Sequence, residues 1–206
     1  MAATVDYFLS LVSPYAYLGH EAFQRVVREQ DVQVRYRPVR MLEVFKAAGG
    51  VPLGQRPPSR QRYRLVELTR WREVRELPLN LHPAFFPVDA ALVDQAAIAL
   101  LRLDANPTDY MWSVFRALWV EDRNLADRGT VAELLAHHGH DAEAVLSLAS
   151  SDAVVDEYQR NTEAAIAADL PGVPGYVLAG EPFWGQDRIE HLESALRTGR
   201  APYRPA

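Results

Sequence analysis

The stretch from Asp6 to Gly19 reads DYFLSLVSPYAYLG, and its two halves obey different periodicities. Together with Thr4 and Val5, the first half makes TVDYFLSLV over residues 4–12, a β-branched and aromatic run with the character of a buried strand. Ser13-Pro14 follows at once. Serine suits a helix N-cap and proline suits the first helical position. Apolar residues then return at helical spacing as Tyr17, Leu18, Phe23, Val26 and Val27. Residues 31–39, DVQVRYRPV, alternate in polarity and predict a second strand. The chain therefore opens as β-α-β, for which a parallel strand pair is expected.

Working outward, the middle of the chain reads as helical over residues 59–76, 87–104, 108–122, 127–138 and 151–168. Gly49–Pro58 (GGVPLGQRPP) and Leu81–Val88 (LHPAFFPV) read as loops. Near the end, Tyr176–Ala179 and Pro182–Trp184 flank Gly180-Glu181 and predict a hairpin, and a last helix is expected from about Gln186 to Thr198, before Gly199. This order, β-α-β, helices, β-β-α, predicts an α/β thioredoxin-like domain carrying a large all-helical insertion. Residues 1–42 and 169–206 would form the discontinuous thioredoxin-like domain, and 43–168 the helical insertion domain.

Composition removes several function classes. The chain has 206 residues, 22 Lys and Arg against 27 Asp and Glu, and a net charge of -5, so no basic surface for nucleic acid is expected. It has no cysteine. Disulfide exchange by its own thiols, a cysteine nucleophile and a cysteine metal site are all excluded. A thiol needed at the site would have to be brought in. The start lacks the basic residues of a secretory signal, and no apolar run reaches the roughly 18 residues of a membrane span, so a cytoplasmic protein is expected. His137, His138 and His140 crowd a helix end without carboxylates at metal spacing; they read as a surface cluster, with no metal site expected.

Three short segments carry chemistry. Ser13, at a helix start after a strand, is an ordinary N-cap on one reading. On the other, it shares the positive end of the helix with an anion such as a thiolate. Gly172-Val173-Pro174 precedes a strand. A trans proline would merely end a loop, whereas a cis one would expose the Val173 backbone to pair with a peptide-like ligand. In Trp184-Gly185-Gln186-Asp187, the aspartate is either a helix-start cap or a partner for a ligand ammonium, and Gly185 permits close approach to the backbone.

Taken together, these blocks resemble the kappa-class glutathione transferase family, and within it the 2-hydroxychromene-2-carboxylate isomerases. Residues 6–19 resemble the family's L-S-P-[FY]-[SA]-[YW]-L block. Arg60-x-x-Tyr63 through Arg70-Trp71 resembles its K-x-x-Y…R-W helix, and residues 172–193 resemble G-V-P-x-[FM]…[FW]-W-G-x-D-R-[LI]. The resemblance spans nearly the whole chain and implies a DsbA-like fold, a homodimer and glutathione as cofactor. Ser13 would be catalytic, hydrogen-bonding the glutathione sulfur. Val173, Pro174, Trp184, Gly185, Gln186 and Asp187 would hold the rest of the tripeptide. Lys46, Gln55 and Phe85 would meet a small aromatic or conjugated substrate.

The implied activity is isomerisation of 2-hydroxychromene-2-carboxylate in aromatic catabolism by reversible thiolate addition. The alternatives are a kappa-class glutathione transferase of broader range and a non-catalytic thioredoxin-fold binding protein. The sequence departs from the family on the substrate side: Gly49-Gly50-Val51 lacks the family's asparagine, and Asp89 stands where many relatives carry asparagine.

Overall fold

The computed structural model describes residues 2–204. Strand β1 (Thr4–Leu9), helix α1 (Pro14–Glu29) and strand β2 (Gln33–Pro38) form the opening unit. A helical block follows: α2 (Met41–Ala47), a 3-10 turn at Leu53–Gln55, α3 (Pro58–Val74), α4 (Ala91–Arg102), α5 (Thr108–Trp119), α6 (Arg128–His137), α7 (Ala142–Ala149) and α8 (Asp152–Ala167). Strands β3 (Gly175–Leu178) and β4 (Glu181–Trp184), a 3-10 turn at Gln186–Arg188 and helix α9 (Ile189–Thr198) complete the chain. The sheet order is β2-β1-β3-β4. β1 and β2 run parallel in the register Thr4↔Gln33 to Leu9↔Pro38, while β3 lies antiparallel on the other side of β1.

The first strand is shorter than its apolar run. It stops at Leu9, because the Ser13 amide donates to Ser10 O (3.0 Å) and the Leu11 amide is taken by the Asp94 side chain (2.7 Å). The helix expected from residue 87 begins at Ala91, whose amide is captured by Asp89 Oδ1 (2.9 Å). Two short helices, α2 and α7, have too few residues for a strong periodic signal.

One continuous apolar core joins Tyr7 and Leu9 of β1, Phe23 of α1 and Tyr176 of β3 to Ile98, Phe115, Trp119 and Tyr158 of the helical block. Tyr7 stacks on Tyr176 (centroids 4.9 Å) and Phe23 tilts against both at 4.7 Å. Asp6 ties β1 to β2 through Arg35 (2.7 Å) and Arg37 (2.6 Å), and Arg37 reaches Asn161 of α8 at 3.2 Å. The helical block is thus seated on the sheet by apolar packing and by the hydrogen bond from Arg37 to Asn161.

Helix α1 lies close against the turn after β4. A Cβ added at Gly19 would stand 2.6 Å from Gln186 Cβ and 3.2 Å from Ile189 Cδ1. In an isolated helix, Gly→Ala stabilises by up to about 1 kcal/mol. Here the sign should reverse. Gly19→Ala is expected to cost about 1–3 kcal/mol by overpacking and to lower the midpoint in a thermal unfolding scan. A midpoint equal to or above wild type would show that the 186–189 turn yields freely.

Candidate active site

The site grows from the end of β1. Ser13 adopts extended backbone angles (φ -81°, ψ 121°) as N-cap of α1, and its Oγ accepts from the Ala16 amide at 3.3 Å. The residue is 2% exposed, yet its side chain forms part of a cavity wall. Among the described residues no acceptor takes its hydroxyl proton. The first turn of α1 carries no acidic residue of its own to offset the positive helix end.

The cavity measures about 680 Å³, enough for a drug-sized ligand. Val12, Ser13, Pro14 and Tyr15 form its α1 side, and α2 contributes Met41 and Phe45. Gln61 and Arg64 come from α3, Phe86 and Val88 from the loop before α4, Tyr158 from α8, and Val173 closes the wall beside Ser13's turn. The Val173–Pro174 peptide is cis, and so is Phe86–Pro87. The β1–β3 ladder begins at Gly175, so the Val173 peptide takes no part in it.

The second half of the site is a turn braced from a distance. Pro174 O accepts from the Gly185 amide at 2.9 Å. Gly185 has φ +105°, a conformation that side-chain-bearing residues avoid, and a Cβ there would collide with the Asp187 carboxylate. Gln186 is buried and held by Arg75, whose Nε donates to Gln186 Oε1 and whose Nη2 donates to Gln186 O, both at 3.0 Å. Arg75 also pairs with Glu190 at 3.1 Å. Asp187 is accessible and pairs with its neighbour Arg188 at 2.8 Å, and Trp184 is 48% exposed.

Beneath the cavity lies a buried acid. Asp94 of α4 is fully enclosed; its Oδ1 accepts from the Leu11 amide (2.7 Å) and its Oδ2 from the Tyr158 hydroxyl (2.8 Å). Burial pushes its carboxyl up to about 7, against the hydrogen bonds from Leu11 and Tyr158, which favour the anion. Tyr15, on the α1 side, is raised by burial and feels the charges of Arg64, Glu67, Arg56 and Asp187.

Three residues expected to meet substrate lie off this cavity's wall. Lys46 is exposed and off the cavity wall, because Phe45, one helical step earlier, takes the inward position on α2. Gln55 ends a 3-10 turn in solvent, while Arg56 lines the cavity. Phe85 is 41% exposed; Phe86 faces inward, packed on Trp119 at 4.9 Å. Ser13 and Val173 meet at the cavity, whereas Trp184, Gly185, Gln186 and Asp187 form the adjoining turn outside its wall.

The sequence reading did not single out Arg75, Asp94, Arg64 or Tyr158. Two had a signal. Asp94 stands alone as an acid on the apolar stripe it shares with Ala97 and Ile98, and Gln61 and Arg64 share a helix face with buried Leu68. Among the described residues, no three His, Asp or Glu side chains gather as a metal site, and His138 Nε2 bonds Ser113 Oγ at 2.7 Å. No described helix is long and apolar enough to cross a membrane.

Residues 4–197 match the family model of the DSBA-like thioredoxin domain. This chain belongs to the DSBA-like thioredoxin family. Within that family, this DSBA-like protein is similar to the 2-hydroxychromene-2-carboxylate isomerase of Pseudomonas sp. (strain C18). The two are 30% identical over 203 residues, covering 96% of this chain and 91% of that protein. The solved structure of a 2-hydroxychromene-2-carboxylate isomerase superposes with a TM-score of 0.78 at 26% identity, covering 95% of each chain. Glutathione S-transferase kappa 1 of Caenorhabditis elegans is 23% identical, with 94% of this chain and 90% of that protein covered. The helical block of this DSBA-like protein is therefore part of the family fold, inserted between β2 and β3.

Proposed function

We propose that this protein is a glutathione-dependent isomerase acting on 2-hydroxychromene-2-carboxylate or a similar conjugated aromatic acid. The observation that carries the reading is Ser13. In a chain without cysteine, it sets a hydroxyl, with its proton uncommitted among the described residues, at a helix N-terminus whose first turn has no acid, opening on a ligand-sized apolar cavity. The relatives named as isomerases support the reaction class, and those named as kappa transferases support the thiol.

The residues present fit the tripeptide. Bound glutathione would supply a nucleophilic thiol for reversible addition to the conjugated alkene, allowing rotation about the former double bond. Ser13 would donate its hydroxyl proton to the sulfur, and the α1 N-terminus would favour negative charge there. The Val173 peptide, outside the sheet ladder, would pair with a peptide-like backbone. Pro174 O, bonded by the Gly185 amide, keeps that peptide aligned with the adjoining turn. Asp187 would face an ammonium, with Trp184, Gly185 and Gln186 shaping the approach. Phe45, Phe86 and Val88 would cover the substrate ring and exclude water, in place of Lys46, Gln55 and Phe85.

The test is to add reduced glutathione and 2-hydroxychromene-2-carboxylate and follow both product and free thiol. Isomerisation that requires glutathione without consuming it is expected. A glutathione-bearing product would favour a kappa-type transferase instead, a reading favoured by the solvent positions of Lys46, Gln55 and Phe85. No isomerisation and no glutathione binding by folded protein would overturn both.

A further inference from the structure

The cavity wall carries more positive charge than it neutralises. Arg40, Arg56 and Arg64 all line it, and each lies over an aromatic ring that also lines it. Arg40 stands 4.9 Å from the Tyr158 centroid, Arg56 5.7 Å from Phe45 and Arg64 5.5 Å from Phe86. A cation–π contact of this kind holds a guanidinium near the ring while leaving N–H groups for a ligand.

Two carboxylates share the wall, Glu43 and Asp89. Glu43 faces Arg40 at 3.8 Å, and Asp89 Oδ1 accepts the Ala91 amide at 2.9 Å. Arg56 gives its Nε to Val51 O (2.8 Å), which leaves its terminal nitrogens. Among the described residues Arg64 has neither a hydrogen bond nor an ion pair, although it is partly buried. It lies near enough to Arg56 for the two like charges to act on one another, and both act on Tyr15, two residues after Ser13. Two guanidiniums without an ion-pair partner among the described residues thus stand together on the Ser13 side of a mostly apolar cavity.

We infer that Arg56 and Arg64 form a carboxylate-binding wall in this cavity, and that it orients the carboxylate of a planar aromatic acid whose ring lies against Phe45 and Phe86. The inference deepens the proposed function and rests on it for the place of the thiol beside Ser13. The wall itself is tested without any thiol. A carboxylate accepts two parallel N–H bonds from a guanidinium edge, and a half-buried, unpaired arginine gains more from such a partner than one in open water. Of the two sources of a carboxylate at this site, a ring-bearing acid suits the apolar walls. The other is the glycyl end of glutathione.

The experiment is calorimetric titration of 2-naphthoate and of its neutral isostere 2-naphthamide, in the absence of glutathione. Wild type is expected to prefer the acid by about tenfold or more, the order expected of a charge-assisted bidentate pair. Arg64→Leu should abolish most of that preference and Arg56→Gln part of it, with each variant's circular dichroism spectrum compared with wild type. Should Arg64→Leu fail to fold, the wild-type pair and Arg56→Gln still decide. A second arm compares glutathione with its glycyl ethyl ester.

Preference for naphthoate that is lost in the variants supports the wall with an aromatic acid as occupant. Discrimination only between glutathione and its ester, lost in the variants, supports the wall and assigns it to the thiol's own carboxylate. Equal binding within both pairs by wild type, or preferences that survive in both variants, would overturn the inference. Naphthoate preference in a protein that does not bind glutathione would uphold the wall while removing the proposed function.

Discussion

Replacing Ser13 by alanine is expected to lower glutathione-dependent turnover by about 10²–10³-fold, the cost of losing one donor to a reacting anion, while glutathione affinity changes by less than about tenfold. The reasoning separates two jobs of one hydroxyl. As an N-cap it accepts from the Ala16 amide at 3.3 Å, and removing a cap costs about 1 kcal/mol of stability. As a donor it would hold the bound thiol as its thiolate, the form that adds to the alkene, so its loss would leave more of the bound thiol protonated and unreactive. The residues proposed to hold the rest of the tripeptide, Val173 and the Trp184–Asp187 turn, lie on other elements and would be untouched. Steady-state kinetics and calorimetry on the same preparation measure both quantities. Turnover preserved in a folded Ser13→Ala protein would reduce Ser13 to a structural cap.

Removing the buried acid should have the largest effect on stability. Asp94→Leu strands the Leu11 amide and the Tyr158 hydroxyl, both buried donors, and is expected to cost about 2–6 kcal/mol. Asp94→Asn should behave differently: its amide oxygen can still accept from Leu11 and its NH₂ can donate to the tyrosine oxygen. The two proteins should also differ in their pH response. The Asp94 carboxyl is raised in the folded chain to about 7, chiefly by burial, from the ordinary value of about 4 when unfolded. A raised carboxyl favours folding while it is protonated. Its contribution is complete below about pH 4 and is lost as pH rises from there to about 7.

Wild type should therefore lose about 2–4 kcal/mol relative to Asp94→Asn between pH 5 and pH 8, since stability falls by about 1.4 kcal/mol for each pH unit crossed between the unfolded and folded pKa. Urea unfolding of both proteins at the two pH values supplies the comparison. Parallel stabilities would mean that Asp94 is ionised in the folded chain throughout, held by its hydrogen bonds.

Much of the fold was legible because its signals are local. The change from a β-branched run to helical spacing across Ser13-Pro14 marked β1 and α1, and alternation in residues 31–39 marked β2. The turn at Gly180 separated β3 from β4. Errors arose where a distant partner overrode local preference. Leu11 and Val12 belong to an apolar run but leave the strand, because Asp94, 83 residues away, claims the Leu11 amide. The parallel pairing of β1 with β2 was expected from the helix between them and is observed.

The sequence by itself determined the order of elements, the absence of a thiol, and the family blocks around Ser13, Val173 and Gly185, since each rests on residues a few positions apart. Only the tertiary structure decided which side chains share a cavity. Phe45 rather than Lys46, Arg56 rather than Gln55 and Phe86 rather than Phe85 face inward, a choice set by the rotation of each segment as it packs. Arg75 braces Gln186 across 111 residues, and Arg64 meets Phe86 across a loop. Such contacts leave no periodic trace in the chain. They exist because burying the apolar faces of α4 and α8 against the sheet, and packing α3 against α1, carries their polar residues to common ground, where burial, not spacing, sets their charge and partners.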